Sequence, residues 1–327
     1  MNSFGRLFRI SIFGESHGKG VGVVMDGIPA GIPLDVADFE PDLSRRRSGT
    51  SGTTPRKEKD LPTLFSGVYN GYTTGAPLMV LVENNDTRSS DYESLRDIPR
   101  PGHADFTSRV KYEGFSDPRG GGHFSGRMTL ALVAAGVLAK KIISPATVTS
   151  ELLEIGGEKD IMKALESIRE SGDSIGGIVQ CTANGIPSGL GEPFFDSIES
   201  VISHLVFAIP AIKGIEFGSG FAAARMLGSQ NNDPIVDSSG KTLTNNSGGI
   251  NGGITNGNEL IFRVAVKPTS SIALPQQTLN FRTGIPDNLQ VEGRHDTCIA
   301  LRMPVIIEAV TAIALADFLL IDKKSSH

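Results

Sequence analysis

The stretch 100–127, RPGHADFTSRVKYEGFSDPRGGGHFSGR, contains residue types that could do chemistry on an anionic ligand. Its arginines present planar forks of donors that match phosphate and carboxylate groups, and His103 and His123 can exchange protons near neutral pH. The glycines at 120–122 would let backbone N–H groups approach a ligand closely. The pattern predicts a site for a phosphorylated small molecule with proton transfer nearby, although a long solvated loop would have a similar composition.

Further loops rich in hydrogen-bond donors occur outside this stretch. They are GESHGKG at 14–20, RRRSGTSGTT at 45–54 and KPTSS at 267–271, and a charged trio, RHD, stands at 294–296. Each has a simpler interpretation, since 14–20 could be a hairpin turn and the cations at 45–47 suit the C-terminus of a helix. Taken together, such loops are typical of a site for a phosphorylated substrate, a phosphorylated cofactor, or both.

Composition narrows the class of protein. The chain has 327 residues, of which 39% are hydrophobic and 20% charged, so a large core is expected. A net charge of -5 argues against nucleic acid as a partner. Cys181 and Cys298 have no disulfide or metal-ligand spacing. The start of the chain has no long apolar run, and the segment 304–321 contains Glu308 and Asp317, which favours a buried helix. We therefore expect a cytoplasmic protein without a membrane segment.

Apolar periodicity predicts the elements that position these loops in the first part of the chain. Strands are predicted at 7–13, 20–25, 64–72 and 76–83. Asp35 is predicted to cap a helix that reaches Arg47. Helices are also predicted near 92–96 and at 127–143, the latter with one apolar face and with residues 122–125 at its N-terminus.

The second part of the chain repeats this alternation of strands and helices. Strands are predicted at 147–155, 176–183, 213–217, 221–227 and 259–266, and helices at 159–171, 197–207 and 304–321. Between them, the segment 228–258 is a long stretch rich in Asn, Ser and Gly, which is typical of a functional loop or of disorder.

A short internal repeat links the two parts. Gly27-Ile28-Pro29-Ala30-Gly31 and Gly185-Ile186-Pro187-Ser188-Gly189 are offset by 158 positions, from 27 to 185, and each follows a predicted strand. The repeat predicts one domain built from two similar β-α-β halves, about 1–145 and 146–327, although coincidence remains an alternative in a glycine-rich chain.

Several well-known motifs are absent, including GxxxxGK[ST], HExxH and GxSxG, and no metal site is predicted. Seven other motifs stand in order along nearly the whole chain and resemble the signature set of the chorismate synthase family. These are GESHG (14–18), RRRSGTSG (45–52), RPGHAD (100–105), GGGHFSGR (120–127), SGGINGG (247–253), KPTSS (267–271) and GRHD (293–296).

The resemblance implies a carbon-oxygen lyase that eliminates phosphate and a proton, in an anti-1,4 sense, from 5-enolpyruvylshikimate 3-phosphate (EPSP) to give chorismate. This is the last step of the shikimate pathway to aromatic amino acids, and it requires reduced FMN. The resemblance also implies an α+β fold with a helical layer between two antiparallel sheets and duplicated halves, and a homotetramer.

The resemblance assigns roles to individual residues. His103 would assist the departing phosphate, His17 would set the protonation of the flavin, and Asp296 with Ser16 and Ser125 would pass the substrate's C6 proton to it. Substrate contacts are implied for Arg45, Arg46, Arg127 and His103. FMN contacts are implied for His123, Phe124, Ser125, Ala211, Gly252, Lys267, Pro268, Thr269, Ser270, Ser271 and Arg294.

Three positions depart from the pattern of the family. His123-Phe124 follows the glycines where many members have Arg-Ser, and Gly52 replaces an arginine, which weakens any case for NADPH except as a reductant. Pro210 replaces an asparagine before Ala211 and has no N–H to offer. A catalytically silent protein that binds flavin or phosphate on the same fold is the alternative.

Overall fold

The computed structural model describes residues 1–47, 49, 52, 58–85, 97–291 and 296–325. The strands in this part of the chain are, in order, β1 (Ser3–Phe4), β2 (Arg9–Gly14), β3 (Gly20–Asp26), β4 (Pro62–Ser66), β5 (Val68–Tyr69), β6 (Tyr72–Thr73), β7 (Leu78–Glu83), β8 (Thr147–Ile155), β9 (Gly177–Asn184), β10 (Ile212–Phe217), β11 (Ile250–Asn251), β12 (Ile254–Thr255), β13 (Leu260–Val266), β14 (Gln276–Asn280) and β15 (Ile285–Leu289). The α-helices are α1 (Glu40–Arg46), α2 (Asp105–Lys111), α3 (Thr129–Ile143), α4 (Ile161–Ser171), α5 (Ile198–Val206), α6 (Gly228–Asn231) and α7 (Met303–Ser325).

Two antiparallel sheets form the outer layers. The first has the strand order β1-β2-β3-β7-β4, and the second has the order β8-β9-β13-β10. In the first sheet Val23 lies opposite Val80, and in the second Val179 lies opposite Val264; all four side chains are fully buried. Because side chains alternate between the two faces of a strand, each sheet turns one apolar face inward.

A layer of helices lies between the two inward faces. α3 packs on the first sheet, α7 packs on the second, and the two helices pack on each other. They meet closely at Gly136, where a Cβ atom would lie 2.4 Å from Cβ of Ala309, so the approach requires glycine. The predicted α+β class, with a helical layer between two antiparallel sheets, is confirmed by these contacts and by the structural comparison reported below.

The prediction that α3 has a single apolar face is wrong in detail. Ala131, Leu132, Ala135 and Ala139 are buried in addition to the predicted face, because α3 is covered by a sheet on one side and by α7 on the other. A helix that is apolar all round is the pattern expected for such a position.

The segment Ile299–Lys324, which includes α7, is long and apolar enough to cross a membrane by composition, but 78% of its most apolar window is buried inside the protein. Two of its three acids, Glu308 and Asp317, have protein partners that anchor the helix. Asp317 accepts backbone hydrogen bonds from Leu7 and Phe8 at 2.7 and 2.8 Å, and Glu308 accepts from Arg45. The predicted buried helix is therefore present, and its carboxylates attach it to other elements.

Most predicted strands and helices are present within one or two residues of the expected bounds. The strand at 221–227 is wrong: Gly220–Arg225 forms a 3₁₀ turn. Gly218 and Gly220, with φ of 55° and 52°, bend the chain there, and three consecutive alanines provide no β-branched side chains to favour a strand. The hairpin of β14 and β15 was not predicted, and the helix expected near 92–96 lies outside the described residues.

Candidate active site

A cavity of about 650 Å³ lies where loops from both sheets meet the helical layer. Among the described residues, six arginine or lysine side chains line it, against three carboxylates. The cations are Arg46, Arg47, Arg100, Arg127, Lys267 and Arg302, and the carboxylates are Glu58, Asp60 and Asp296. The chain as a whole is acidic, so this excess of cations is a local feature that suits an anionic ligand.

The cavity wall brings together most of the residues singled out in the sequence. These are Ser16, Arg46, His103, His123, Phe124, Ser125, Arg127, Ala211, Lys267, Pro268, Thr269, Ser270, Ser271 and Asp296. His17, Arg45 and Gly252 are not part of the wall, and Arg294 lies outside the described residues.

The three residues outside the wall have identifiable positions. Arg45 points to α7, where its guanidinium donates two 2.7 Å hydrogen bonds to the Glu308 carboxylate. Neighbouring residues of a helix face directions about 100° apart, and here Arg45 faces α7 while Arg46 faces the cavity. Gly252 occupies the turn between β11 and β12 with φ of 61°. His17 is buried beside the wall, against Gly120.

The triple glycine lets two histidines approach one short piece of backbone. A Cβ atom on Gly120 would lie 2.7 Å from Nε2 of His17, and one on Gly121 would lie 3.6 Å from Nε2 of His103. Gly120, Gly121 and Gly122 all have positive φ, at 60°, 79° and 54°, a conformation that side chains rarely adopt. Gly120 therefore allows the close approach of His17, and the three glycines together form the turn, which His103 meets at ordinary contact distance.

His103 belongs to a charged cluster with Asp105 and Arg100. Nδ1 of His103 donates to Oδ1 of Asp105 at 2.5 Å, and the Arg100 guanidinium donates to the same carboxylate at 2.8 Å. Burial would raise the pKa of Asp105, but hydrogen bonds from Arg100 and His103 and their charges outweigh it, and the pKa lies well below its ordinary value. Asp105 is therefore ionised and leaves Nε2 of His103 for a ligand.

Asp60 holds two arginines side by side. Arg46 donates to its Oδ2 at 2.8 Å, and Arg127 makes a short hydrogen bond to its Oδ1; all three side chains are almost fully buried. Burial raises the pKa of Asp60, yet the two guanidinium charges lower it more, so the carboxyl titrates below its usual range. Burial, followed by the charges of Arg127 and Arg302, lowers the pKa of Arg46 to about 10 despite the attraction of Asp60.

Asn84 connects this pair to the loop that carries Ser16 and His17. Its Oδ1 accepts from Nε of Arg127 at 3.0 Å, and its Nδ2 donates to the carbonyls of Glu15 and Gly18, both at 3.0 Å. A change in the position of Arg127 would therefore be transmitted to that loop.

Five buried donor atoms in the wall have no hydrogen-bond partner within the described part of the chain. They are Nε of Arg46, Nε of Arg47, Nη2 of Arg127, Nε of Arg302 and the Thr269 hydroxyl. An unpaired buried polar group costs about 1 to 3 kcal/mol, so their presence in one cavity indicates a ligand with several acceptor oxygens. Such donors fit phosphate or carboxylate groups.

The segment 267–271 fits a second phosphate-bearing group. Nζ of Lys267 donates to the Ser270 hydroxyl at 2.9 Å, and Arg100 donates to the Ser271 hydroxyl at 3.0 Å. Ser270 in turn donates to the carbonyl of Gly102 at 2.8 Å, which connects this segment to the His103 loop. Burial and the charge of Lys213 lower the pKa of Lys267.

His123 is held by the strand beside it. Its Nδ1 lies 3.0 Å from the Gly14 carbonyl and its Nε2 lies 3.1 Å from Oδ1 of Asn2. Both ring nitrogens therefore have protein partners, and the side chain would contact a ligand mainly through its ring.

A larger cavity of about 900 Å³ adjoins the first and shares His103 and Phe124 with it. Its lining includes three carboxylates, Asp105, Glu113 and Asp117, against one arginine, Arg109. This balance is unfavourable for an anion, so the smaller cavity is the better candidate for the site.

Sequence reasoning missed Asp60 and Arg302. Asp60 ends a charged run, KEKD at 57–60, which resembles an exposed surface segment. Arg302 stands directly before the apolar helix α7, six residues after Asp296, and its Nη2 makes a short hydrogen bond to that carboxylate. A lone arginine at the head of an apolar helix was the available signal.

Comparisons with known proteins agree on one family. The family model for chorismate synthase matches residues 8–320. The chain is 64% identical to the chorismate synthase of Chitinophaga pinensis over 100% of this chain and 99% of the relative. It is 46% identical to a chorismate synthase of Dehalococcoides mccartyi, over 98% of this chain and 96% of the relative. A crystal structure of chorismate synthase superimposes with a TM-score of 0.76 at 28% identity, covering 98% of this chain and 93% of the other.

Proposed function

The chain belongs to the chorismate synthase family, and from this premise we propose how its residues carry out the reaction. It is an enzyme of that type, a lyase of aromatic amino acid biosynthesis that acts on a small molecule. The proposed reaction is anti-1,4-elimination of phosphate and a proton from EPSP to give chorismate, with reduced FMN as the cofactor. The observation that carries the proposal is the set of buried arginine donors that have no partner among the described residues and lie in the same cavity as His103.

His103 acts as the acid for the departing phosphate. The Asp105 carboxylate accepts from Nδ1 of His103, so Nε2 is the ring nitrogen that can donate a proton to a phosphate oxygen as its negative charge grows. Arg46 and Arg127 bind the anionic groups of the substrate and keep the leaving group in place. Arg45 is bound to Glu308 in this structure and supports α1, so its role is to position Arg46.

The residues that would hold FMN are His123, Phe124, Ser125, Ala211 and 267–271, and the proposal also includes Arg294 and Gly252, the latter not part of the cavity wall. The amine of Lys267 and the unpaired hydroxyl of Thr269 fit a phosphate tail. When bound, reduced FMN supplies electron density to the allylic centre that loses phosphate, which a protein side chain cannot easily do.

Asp296 carries the substrate's C6 proton away at its carboxylate, with the hydroxyls of Ser16 and Ser125 in the same wall. His17 does not line the cavity, but its ring lies against Gly120, which does. Its charge state therefore affects the cavity over a short distance.

The proposal extends to assembly, location and reductant. Phe194 and Phe195, at 86% and 93% exposed, are large apolar side chains of the kind that subunit contacts cover, and the homotetramer itself is proposed from the resemblance to the family. A cytoplasmic location belongs to the same proposal. NADPH enters only as a reductant of the flavin.

The test is an anaerobic assay with purified protein, chemically reduced FMN and EPSP, in which chorismate and released phosphate are followed together. Equal appearance of both products is expected. A second arm with oxidised FMN and NADPH measures whether the protein reduces its own flavin. Binding of FMN without either product would favour the catalytically silent alternative.

A further inference from the structure

We propose that Arg302 is a third substrate-binding guanidinium, which binds an oxyanion of the substrate together with Arg46 and Arg127. The inference rests on the proposed function for the identity of the substrate, but the oxyanion subsite itself can be tested without turnover. The ligand chemistry is a phosphate or carboxylate group with at least two acceptor oxygens.

The position of Arg302 is the first argument. It ends the 3₁₀ turn Ile299–Arg302 that leads into α7, and it lines the 650 Å³ cavity. A smaller void beside that cavity is lined by both Arg46 and Arg302, so the two side chains face the same space. The side chain of Arg302 is 16% exposed, which is enough for contact with a ligand in the cavity.

Unused hydrogen-bonding capacity is the second argument. Nη2 of Arg302 bonds to Asp296, while its Nε is buried and has no partner among the described residues. Arg46 and Arg127 each have a buried donor in the same condition. Arginine binds phosphate and carboxylate with two parallel donors, so three such side chains around one cavity form a site for a multidentate anion.

Charge balance is the third argument. Among the residues that the structure describes, the three guanidinium groups pair with two carboxylates, Asp60 and Asp296, which leaves one formal positive charge among these five side chains. The charges of Arg127 and Arg302 both act on Arg46, which is almost fully buried. An uncompensated buried charge is costly, and an oxyanion between the three side chains would remove that cost.

A purely structural role for Arg302 makes a different prediction. If the side chain served only to hold Asp296 and the start of α7, replacing it would lower stability and leave the affinity for small anions unchanged. Anion affinity therefore separates the two roles.

The experiment measures binding of inorganic phosphate and, separately, of pyruvate by calorimetry, to the FMN-loaded protein with the flavin oxidised. The variants are Arg302→Met and Arg302→Lys, and the control is Arg225→Met, an exposed arginine in the turn Gly220–Arg225. We expect Arg302→Met to weaken the binding of the affected anion about 10-fold or more. The affinity of Arg302→Lys should be intermediate, and that of the control should match the wild type. If only the affinity for phosphate falls, Arg302 binds the phosphate group of the substrate. If only the affinity for pyruvate falls, Arg302 binds a carboxylate of the substrate.

Wild-type affinity for both anions in a folded Arg302→Met protein would overturn the inference. If that variant does not fold, wild-type affinity in Arg302→Lys would overturn it equally, because lysine lacks the second donor of the fork. If the wild type forms no chorismate while anion binding depends on Arg302, the proposed function fails and the subsite stands. If Arg302→Met forms chorismate with a wild-type KM for EPSP, the subsite fails and the proposed function stands.

Discussion

The two halves of the molecule share a frame and differ in their loops. Strand order in the first sheet is β2-β3-β7-β4, beside the short edge strand β1, and in the second it is β8-β9-β13-β10. Each half also ends in a long apolar helix, α3 or α7, and these two helices pack against each other. The order in which the strands pair is therefore equivalent in the two sheets.

The repeated glycine-proline turn shows the same equivalence at atomic detail. The Thr73 hydroxyl donates to the Pro29 carbonyl at 2.7 Å and accepts from the Ile32 amide at 2.9 Å. The Thr255 hydroxyl donates to the Pro187 carbonyl and accepts from the Leu190 amide at the same two distances. These matches support a duplicated chain, and we propose that the halves divide near residue 145.

The first connection of each half is not equivalent. Between β2 and β3 the chain makes a short loop with Ser16 and His17, whereas between β8 and β9 it forms α4. His103, the triple glycine and Asp60 also belong to connections of the first half, while the second half supplies 267–271 and the start of α7. The shared frame is thus apolar, and the chemistry depends on loops in which the halves have diverged.

The largest effect is expected for a histidine of the first half. Changing His103→Ala removes the proposed acid and should lower kcat about 100- to 10,000-fold, while FMN still binds. The matched change in the second half is His204→Ala on α5, which should leave turnover near wild type. Steady-state kinetics under anaerobic conditions would measure both, and wild-type turnover in His103→Ala would break the assignment of chemistry to the first half.

A smaller effect, on stability, is expected at Asp60. Removing its carboxylate in Asp60→Ala leaves Arg46 and Arg127 buried together, which should lower the free energy of unfolding by about 3 to 5 kcal/mol. Glu216 in β10, whose carboxylate bonds to Arg263 at 2.7 Å, provides the matched change in the second half. Glu216→Ala should cost much less, since that pair is partly exposed. Denaturant unfolding compares them, and equal losses would contradict the difference drawn between the halves.

Replacing Thr73 or Thr255 should lower the free energy of unfolding by similar amounts. Thr73→Val and Thr255→Val each remove one buried donor and one acceptor contact, with an expected loss of about 1 to 3 kcal/mol in the free energy of unfolding. Thermal and denaturant unfolding would measure the two losses. A large loss at one position with almost none at the other would mean that the repeated hydrogen bonds do not reflect equivalent halves.

The smallest change in stability is expected when the pH is lowered. The pKa of Asp60 is lowered on folding, so its contribution to stability is complete above the unfolded value, about 3.9, and is lost as the pH falls below it. Stability should therefore be insensitive to this group between pH 5 and 8 and should fall below about pH 4. Unfolding curves between pH 3 and 8 test this, with Asp60→Asn as the control; an identical acid slope in that variant would exclude Asp60 as a source.

Most of the apolar strands and helices could be predicted from the sequence because the patterns that specify them are local. Alternating apolar residues predicted β3 and β13, and the run at 304–321 predicted α7. The hairpin of β14 and β15 escaped prediction because its strands are polar and contain Pro286. The predicted strand at 221–227 failed because glycine geometry before it bends the chain into a turn.

The sequence predicted most residues of the candidate site but not which of them form hydrogen bonds with each other. The motifs identified most residues of the cavity wall, yet Arg45 and Arg46 look alike in the sequence, and only the direction of α1 separates them. Asp60 could not be found because its partners, Arg46 and Arg127, are 14 and 67 residues away. Long-range pairing depends on the fold, which local patterns do not specify.

The most direct test of this account is a crystal structure of the protein with oxidised FMN and EPSP, a combination in which the substrate should remain intact. The account predicts both ligands in the cavity of about 650 Å³, with the substrate's phosphate in hydrogen-bond distance of Nε2 of His103 and its anionic groups on Arg46 and Arg127. EPSP in the larger cavity beside Phe106 and Phe115, or a phosphate remote from His103, would contradict it.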